Sequence, residues 1–233
     1  MKKSTYKYPR AQLAVDCVVF GLDESQGLKV LLIKRLKEPC KGEWALPGGF
    51  VRPDQDNSLE DAALRELKEE TRISELSLEQ LYTFGNRDRH PGDWVATVAY
   101  YALVNLSEYL IHADTDASAV AWFLVKELPP LAFDHNKIIN TAVQRLRAKV
   151  RYEPIGFNLL PRKFTVPQLQ NLYETILDIK FDRRNFLRKF RKMNLLVELD
   201  EMQEGVSHRP ARLYQFDSQE YENLKQTGFN FEI

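Results

Sequence analysis

The chain has few cysteines, no long apolar run and no net charge, and each absence excludes a class of protein. Its 233 residues include only Cys17 and Cys40, with no Cys-x-x-Cys pair, so the sequence indicates neither a disulfide framework nor a cysteine-based zinc site. No apolar stretch approaches the roughly 18 residues of a membrane span, and the basic start MKKSTYKYPR lacks the apolar segment of a secretion signal. We therefore expect a cytoplasmic protein that is neither secreted nor inserted in a membrane.

The balanced charge conceals an uneven distribution along the chain. Hydrophobic residues make up 44% and charged residues 28%, which is typical of a folded globular protein of one or two domains. Residues 151–192 carry 10 positive and 4 negative side chains, whereas residues 193–233 carry 3 and 8. A basic block is therefore followed by an acidic tail, and nucleic acid is not excluded as a partner.

The first two thirds of the chain alternate strand-like and helix-like patterns. Apolar runs at 11–22 and 27–36 are joined by the turn sequence DESQG, and further strand patterns lie at 78–85, 94–104 and 119–125. The segment SLEDAALRELKEETRI predicts a helix with Ser58 as N-cap, and a second helix is predicted from an Asp134 N-cap to Lys149. These patterns predict a mixed α/β sandwich.

The composition changes at RYEPIGFNLLP, which we interpret as a linker with a domain boundary near 152–160. Beyond it, Thr165 is the expected cap of a helix, DRRNFLRKFRKMN predicts a basic helix, and LLVELDEM and RPARLYQFD predict two strands joined by QEGVSH. Helix, basic helix and hairpin is the order of a winged helix-turn-helix. We therefore expect an effector-binding domain at 1–152 and a DNA-binding domain at 153–233.

Three carboxylates share the inward side of the first helix. With Leu59 at zero and 100° per residue, Glu66, Glu69 and Glu70 fall at about 340°, 280° and 20°, on the arc that Ala62 and Ala63 occupy earlier. Carboxylates gathered in this way repel one another unless a cation compensates their charge. Mg²⁺ or Mn²⁺, which prefer oxygen ligands, are the suggested cations. The alternative is a helix end that turns into solvent, where glutamates only form ion pairs.

The segment LPGGF followed by RELKEET resembles the Nudix box. Gly49, Arg65, Glu66, Leu67, Glu69, Glu70 and Ile73 match that pattern. The resemblance implies an α/β/α sandwich, a metal held by Glu66, Glu69 and Glu70, and hydrolysis of a nucleoside diphosphate linked to another group. It also implies that Arg65 orients a glutamate.

The box departs from the family pattern at three points. Asn57 stands where the family has glutamate, seven residues instead of five separate Gly49 from that position, and Arg72 replaces the final glycine. Asparagine carries no negative charge, and a longer loop can displace the backbone by the roughly 1 Å that costs about 10²-fold in rate. We expect weakened or absent hydrolysis with ligand binding kept.

Two further segments resemble ADP-ribose-handling Nudix proteins. GNRDRHPGDWVATVAYYAL implies that Arg87 and Arg89 lie near phosphate or ribose and that Trp94 lies at the pocket wall, while Gly48 and Gly49 let the backbone approach a ligand. The alternative for both arginines is a solvated loop. In LAFDH, a helix cap at Asp134 beside a structurally satisfied histidine is the favoured interpretation.

The basic helix has two opposite faces. Phe186, Phe190 and Met193 form an apolar stripe, and Arg184, Arg188 and Arg191 lie directly opposite. Long donors on an exposed face suit phosphates and base edges of duplex DNA. The predicted DNA-binding residues are Arg183, Arg184, Asn185, Arg188, Lys189, Arg191 and Lys192 on the helix, with Arg209 and Arg212 on the wing. The alternatives are a solvated face or a site for an acidic partner.

The whole arrangement resembles the Nudix-related transcriptional regulators of the NrtR family, through LPGGF, the box, GNRDR with Trp94, PLAFDH and RPARLY. The resemblance implies a dimeric repressor of genes for NAD or nicotinamide metabolism that responds to ADP-ribose or a related nucleotide and binds a pseudo-palindromic operator. Some relatives control sugar utilisation. The competing hypotheses are a Mg²⁺-dependent ADP-ribose pyrophosphatase with an accessory tail, and a C-terminal protein-interaction module.

Overall fold

The structure is a computed structural model that describes residues 8, 10–74, 76–107, 119–206, 209–229 and 231–233. The basic residues of the N-terminal segment up to Lys7, and Ser207 and His208 of the expected QEGVSH turn, lie outside these ranges. Among the helices of the described ranges, none has both the length and the apolar character that crossing a bilayer requires.

Within the described residues, seven strands form one mixed sheet in the first part of the chain. They are β1 (Gln12–Asp23), β2 (Gly27–Lys34), β3 (Trp44–Ala45), β4 (Gly48–Phe50), β5 (Glu79–Phe84), β6 (Val95–Val104) and β7 (Val120–Leu124). The order β3-β2-β1-β6-β5 forms the main path, with β4 paired to β1 and β7 to β2. Strands β1 and β6 are parallel, from Gln12 opposite Val95 to Gly21 opposite Val104. The predicted hairpin of the first two strands is confirmed by their antiparallel pairing.

Two helices cover opposite faces of this sheet, α1 (Leu59–Thr71) and α2 (His135–Lys149). Successive side chains of a strand point to opposite faces, and β1 supplies both layers. Val15, Cys17 and Val19 pack with the apolar side of α1, whereas Val18 and Phe20 belong to the cluster that contains α2. The expected α/β/α sandwich is therefore confirmed.

The second part of the chain is a winged helix. It contains β8 (Phe164–Thr165), α3 (Val166–Leu177), α4 (Arg183–Met193), β9 (Leu196–Met202) and β10 (Arg212–Phe216), followed by α5 (Ser218–Gln226). Thr165 caps α3 in a capping box with Gln168, which satisfies two backbone donors at the start of the helix. Across the described strands of this part, the sheet order is β8-β10-β9.

The interpretation of RYEPIGFNLLP as a linker was wrong. Residues Pro154–Leu159 form a 3-10 helix with Pro154, Gly156, Phe157 and Leu159 buried. The ring of Phe157 stacks on Phe216 at 4.2 Å between centroids. The proline that suggested an extended connection instead occupies the first turn of this helix, where its missing N–H costs nothing. One apolar cluster therefore runs from the sheet through this segment into the winged helix.

Candidate functional site

The carboxylate helix α1 begins and ends at well-defined caps. The Ser58 hydroxyl accepts a hydrogen bond from the Asp61 backbone at 3.0 Å, as the sequence predicts. Arg72, which stands where the Nudix box has glycine, adopts a left-handed conformation with φ of 61° and donates its N–H to the Lys68 carbonyl. This conformation favours glycine, so the position keeps the backbone geometry of the family while the residue type has changed.

Strand β4, which begins with Gly48 and Gly49, lies directly against this helix. A Cβ added at Gly49 would come within 2.6 Å of Glu66 Oε1, and one at Gly48 would come within 2.2 Å of the Val15 carbonyl oxygen. The Gly48 N–H donates to Glu70 Oε2 at 2.9 Å. Both glycines are therefore needed for backbone and carboxylates to meet.

The three glutamates occupy different environments. Glu66 is buried, Glu70 is half-buried, and Glu69 is exposed, with 44% of its side chain accessible. The expectation of three inward carboxylates was thus wrong for Glu69, which at about 280° lies at the edge of the buried arc, whereas Leu67 and Thr71 on either side of it remain buried. Burial raises the pKa of Glu70 to about 7, with repulsion from Glu66 and Asp16 adding to the effect and the Gly48 N–H opposing it.

Asp56 supplies the charge that Asn57 lacks. Arg65 donates to Asp56 through Nε at 2.7 Å and Nη2 at 2.9 Å, and to Glu66 Oε1 at 2.6 Å. The Arg65 guanidinium is the main cause that lowers the pKa of Asp56 to about 2. The contact expected between Arg65 and a glutamate is present, and an aspartate one residue earlier than the family position completes the network. The sequence contained this signal in the acid next to Asn57.

Arginine side chains pair with two of the three glutamates of α1, Glu66 and Glu69. Arg52 donates to both carboxylate oxygens of Glu69 at 3.0 and 2.9 Å and lies 3.7 Å from Glu66 Oε1. Among the residues that the structure describes, no group of three His, Cys, Asp or Glu side chains is arranged to hold a metal ion. The oxygen donors are of the type that Mg²⁺ prefers, but their arrangement does not fit a divalent ion.

A cavity of about 80 Å³ opens beside β4, and Gly48, Gly49 and Arg89 are among its lining residues. Arg89 is almost fully buried and lies 2.8 Å from Asp134 Oδ1 and 3.4 Å from Asp16 Oδ2. Asp134 precedes α2 as predicted, but its side chain makes no cap bond, because it pairs with Arg89. This network joins β1, the loop before β6 and the start of α2.

Next to this network, His135 is held in its neutral form. Its Nδ1 accepts a hydrogen bond from the Leu46 N–H at 2.8 Å, so the histidine is structurally satisfied, as the sequence indicated. Burial lowers the pKa of His135.

Arg87 and Trp94 lie away from this cavity. Trp94 is 47% exposed, its indole N–H donates to the Gly85 carbonyl, and the Arg87 guanidinium lies 5.6 Å from its ring centroid. Val95 lines the cavity instead, since neighbouring residues of an extended segment point to opposite sides. Trp94 is therefore not among the residues that line this cavity, and its place at the wall of a ligand site stays a prediction.

Among the lining residues that the sequence reasoning missed, Arg35, His90 and Phe133 form one group. The Phe133 ring stacks with His90 at 5.1 Å, and the Arg35 guanidinium lies 4.7 Å from the Phe133 ring centroid. Phe133 has φ of 54°, an uncommon backbone conformation for an aromatic residue. The LAFDH motif pointed to this region, but Arg35 sits at a strand end with no motif around it.

A larger cavity of about 690 Å³ lies between the sheet and the winged helix, where Leu103, Asn158 and Phe216 are among the lining residues. A phosphorylated ligand needs cationic or backbone N–H partners, and Arg162 is the sole Lys or Arg among its described lining residues. The smaller cavity beside β4, with Arg35 and Arg89, supplies the cations that such a ligand needs, but at about 80 Å³ it holds only part of a nucleotide, which would extend beyond it.

Helix α4 presents a basic face to solvent. Phe186, Phe190 and Met193 are buried against the winged-helix core, with the Phe190 ring 5.5 Å from Tyr173. The exposed residues are Arg183, Arg184, Asn185, Arg188, Lys189, Arg191 and Lys192. The opposite placement of the two stripes, predicted from the sequence, is therefore present in the structure.

The wing is the antiparallel pair β9 and β10. Arg212 donates to Glu198 across this pair at 2.8 Å, and Arg209 is exposed just before β10. Gly205, in the connection, has φ of 70°, which suits glycine. Arg212 is therefore already paired, whereas the arginines of α4 point outward.

Both parts of the chain, the α/β/α sandwich and the winged helix, match known protein families. Residues 10–142 match the NUDIX domain family, and residues 156–216 match the NrtR DNA-binding winged helix domain. The "ADPR responsive transcriptional repressor NtrR" of Acinetobacter baylyi is 37% identical over 229 residues, which cover 96% of this chain and 87% of that protein. An ADP-ribose pyrophosphatase of Methanocaldococcus jannaschii is 38% identical over 139 residues, which cover 60% of this chain and 79% of that protein. The crystal structure of Shewanella oneidensis NrtR complexed with a 27mer DNA has a TM-score of 0.79 and 34% identity, covering 94% of this chain and 97% of that one.

The fold and the site define a Nudix domain followed by a winged-helix domain of the DNA-binding type. The chain belongs to the NrtR family of Nudix-related transcriptional regulators.

Proposed function

We propose that this protein is a transcriptional repressor that binds operator DNA through α4 and responds to ADP-ribose bound beside Gly48 and Gly49 of β4. The observation that carries the proposal is the exposed basic face of α4, held by a winged helix that shares one core with a Nudix domain. Six cationic side chains on one short helix are the electrostatic footprint of phosphate binding. The similarity to a relative named as an ADPR-responsive repressor supports the same function.

For the effector, we propose contacts from Gly48, Gly49 and Arg89, with Arg35 as a further cation at the cavity. Arginine guanidinium groups are partners that a diphosphate needs, and the two glycines of β4 have no side chain that would keep a ligand from the backbone. The Gly48 N–H and the Arg89 guanidinium, which contact Glu70, Asp16 and Asp134 in the structure, would exchange these partners for the ligand. Arg87 and Trp94 lie outside the cavity and form an outer rim in this proposal. Residues 1–152 would constitute the sensor and residues 153–233 the DNA-binding unit, acting in the cytoplasm on genes for NAD or nicotinamide metabolism.

We further propose that the protein acts as a homodimer on a pseudo-palindromic operator. A single α4 reads a few base pairs in the major groove, and two helices related by a two-fold axis read half-sites on one face of the duplex. Ligand-dependent repression then requires that ADP-ribose bind the DNA-incompetent arrangement more tightly. We expect operator affinity to fall by at least about fivefold when ADP-ribose saturates the protein.

The test measures binding of a fluorescent duplex from the upstream region of the protein's own gene, by anisotropy, with and without ADP-ribose, NAD or sugars. Arg184→Ala and Arg188→Ala should each weaken binding about tenfold or more and reduce the salt slope by about one. Lys137→Ala, an exposed cation on α2, is the control and should leave both quantities unchanged. Equal affinity for operator and unrelated duplexes in every liganded state would exclude the repressor function.

The second candidate is an ADP-ribose pyrophosphatase, favoured by the Arg65 network with Asp56 and Glu66 and by similarity to a protein of that name. This function requires Mg²⁺ or Mn²⁺, for which Glu66, Glu69 and Glu70 would have to exchange their present partners. Release of AMP from ADP-ribose in the presence of Mg²⁺, abolished in Glu66→Gln, would support it. Absence of turnover with ADP-ribose binding retained would leave a sensor without hydrolysis.

A further inference from the structure

The loop between β4 and α1 holds Arg52 in a fixed backbone position. The Arg52 N–H donates to Asp56 Oδ2 at 2.7 Å, and its carbonyl oxygen accepts from the N–H groups of Gln55 and Asp56. Asp56 is itself anchored to Arg65. The longer Nudix loop is therefore folded back on itself, and Arg52 projects from it toward α1.

The Arg52 side chain spans two carboxylates of that helix. Both terminal nitrogens donate to Glu69, one to each oxygen, at 3.0 and 2.9 Å, and Nη2 lies 3.7 Å from Glu66 Oε1. Glu66, whose side chain is almost fully buried, also accepts from Arg65. The two glutamates are thus covered by two guanidinium groups, and both oxygens of Glu69 are engaged in a bidentate contact.

We propose that Arg52 is the resident cation of the carboxylate helix, replacing the divalent ion that a Nudix box of this kind would recruit. A Mg²⁺-type ion needs about six oxygen ligands in octahedral geometry, and the Glu69 oxygens face a guanidinium instead. The Arg52 charge lies within 4 Å of Glu66 as well, so it repels a divalent ion at the same place. This proposal concerns the metal preference of the resting protein and does not depend on the identity of the effector or operator.

An ordinary surface ion pair is the competing explanation. Arg52 and Glu69 are 41% and 44% exposed, and exposed pairs of this type contribute little. If that explanation holds, a divalent ion displaces Arg52 easily and the arginine has no influence on metal affinity. The metal affinity of an Arg52 variant therefore distinguishes a resident cation from an ordinary surface ion pair.

The experiment titrates the full chain with Mn²⁺ alone at neutral pH and follows free Mn²⁺ by electron paramagnetic resonance. The variants are Arg52→Gln, Arg52→Gln with Glu69→Gln, and Lys68→Gln, which removes the same charge from an exposed position on α1. We expect Arg52→Gln to bind Mn²⁺ at least about tenfold more tightly than the unaltered protein. The double variant should lose this gain, and Lys68→Gln should not show it.

Equal Mn²⁺ affinity of the unaltered protein and Arg52→Gln would overturn the proposal, as would an equal gain in Lys68→Gln. Micromolar Mn²⁺ binding by the unaltered protein would overturn it without any variant, so the test survives a substitution that impairs folding. Circular dichroism of each variant checks that the fold is kept. Absence of operator or ADP-ribose binding would contradict the proposed function but would not affect the proposal for Arg52.

Discussion

Replacement of Glu70 by glutamine should stabilise the protein at alkaline pH. Glu70 is half-buried beside Glu66 and Asp16, and burial is the largest cause that raises its pKa. Glutamine keeps an oxygen that can accept the Gly48 N–H bond but carries no charge. The substitution therefore removes a desolvated anion while preserving the contact between β4 and α1.

The magnitude follows from the difference between the folded and unfolded pKa of Glu70. The pKa rises from 4.5 to about 7 on folding, so the folded state binds the proton more tightly than the unfolded state. Stability therefore falls as pH increases from about 4.5 to 7, and the loss is complete above the folded pKa. At 1.36 kcal/mol for each pKa unit, the penalty at pH 8 is roughly 3 kcal/mol.

Urea unfolding monitored by tryptophan fluorescence, in the presence of EDTA, measures this effect between pH 4 and pH 8. Glu70→Gln should match the unaltered protein near pH 4 and exceed its unfolding free energy by up to roughly 3 kcal/mol at pH 8. Glu222→Gln, on the exposed surface of α5, is the control and should change stability by less than about 0.5 kcal/mol throughout. A Glu70→Gln difference that does not vary with pH, or a loss of stability at pH 8, would refute the argument.

Three further substitutions test other parts of the structure. Arg89→Ala leaves the buried Asp16 and the half-buried Asp134 carboxylates without their shared cation and should lower the unfolding free energy by about 3 kcal/mol or more, measured by urea denaturation. Asp56→Asn removes a carboxylate whose pKa is lowered on folding. The stability that Asp56 supplies to the unaltered protein above pH 4 is lost as the pH falls toward 2, and the acid-denaturation curve of Asp56→Asn should lack this loss. Phe157→Ala should cost about 3–5 kcal/mol in thermal or urea unfolding, since this ring is buried where a linker was expected.

Each of these outcomes has a clear contrary result. A loss below about 1 kcal/mol for Arg89→Ala would mean that the Asp16 carboxylate is not desolvated. An acid-denaturation curve of Asp56→Asn with the same slope as that of the unaltered protein would show that the Asp56–Arg65 ion pair does not contribute to stability. A near-neutral Phe157→Ala, comparable with Tyr152→Ala at an exposed neighbouring position, would restore the interpretation of this segment as a linker.

Local signals in the sequence predicted the elements whose stability depends on local chemistry. The Ser58 cap, the Thr165 cap and the two faces of α4 follow from residue spacing and capping chemistry, which act within one or two turns of a helix. The hairpin of β1 and β2 follows from alternating apolar runs around a short turn.

Features that depend on contacts between distant residues were not predicted. Arg89 pairs with Asp134 across 45 residues, and Arg52 reaches Glu69 across 17, and neither pairing leaves a periodic pattern in the sequence. The 3-10 helix at Pro154 was misassigned because its apolar residues face a core assembled from two parts of the chain. Prolines and glycines alone do not distinguish such a segment from an exposed connection.

The division of α4 into an aromatic side and a cationic side has a consequence for divergence among related regulators. Phe186 and Phe190 fix how the helix sits in its scaffold, and no outward residue takes part in that packing. Exchanges at Arg184, Asn185 or Arg188 can therefore alter the base pairs that are recognised while the scaffold stays the same. New target genes can be acquired by drift on one side of a single helix, at little risk to folding.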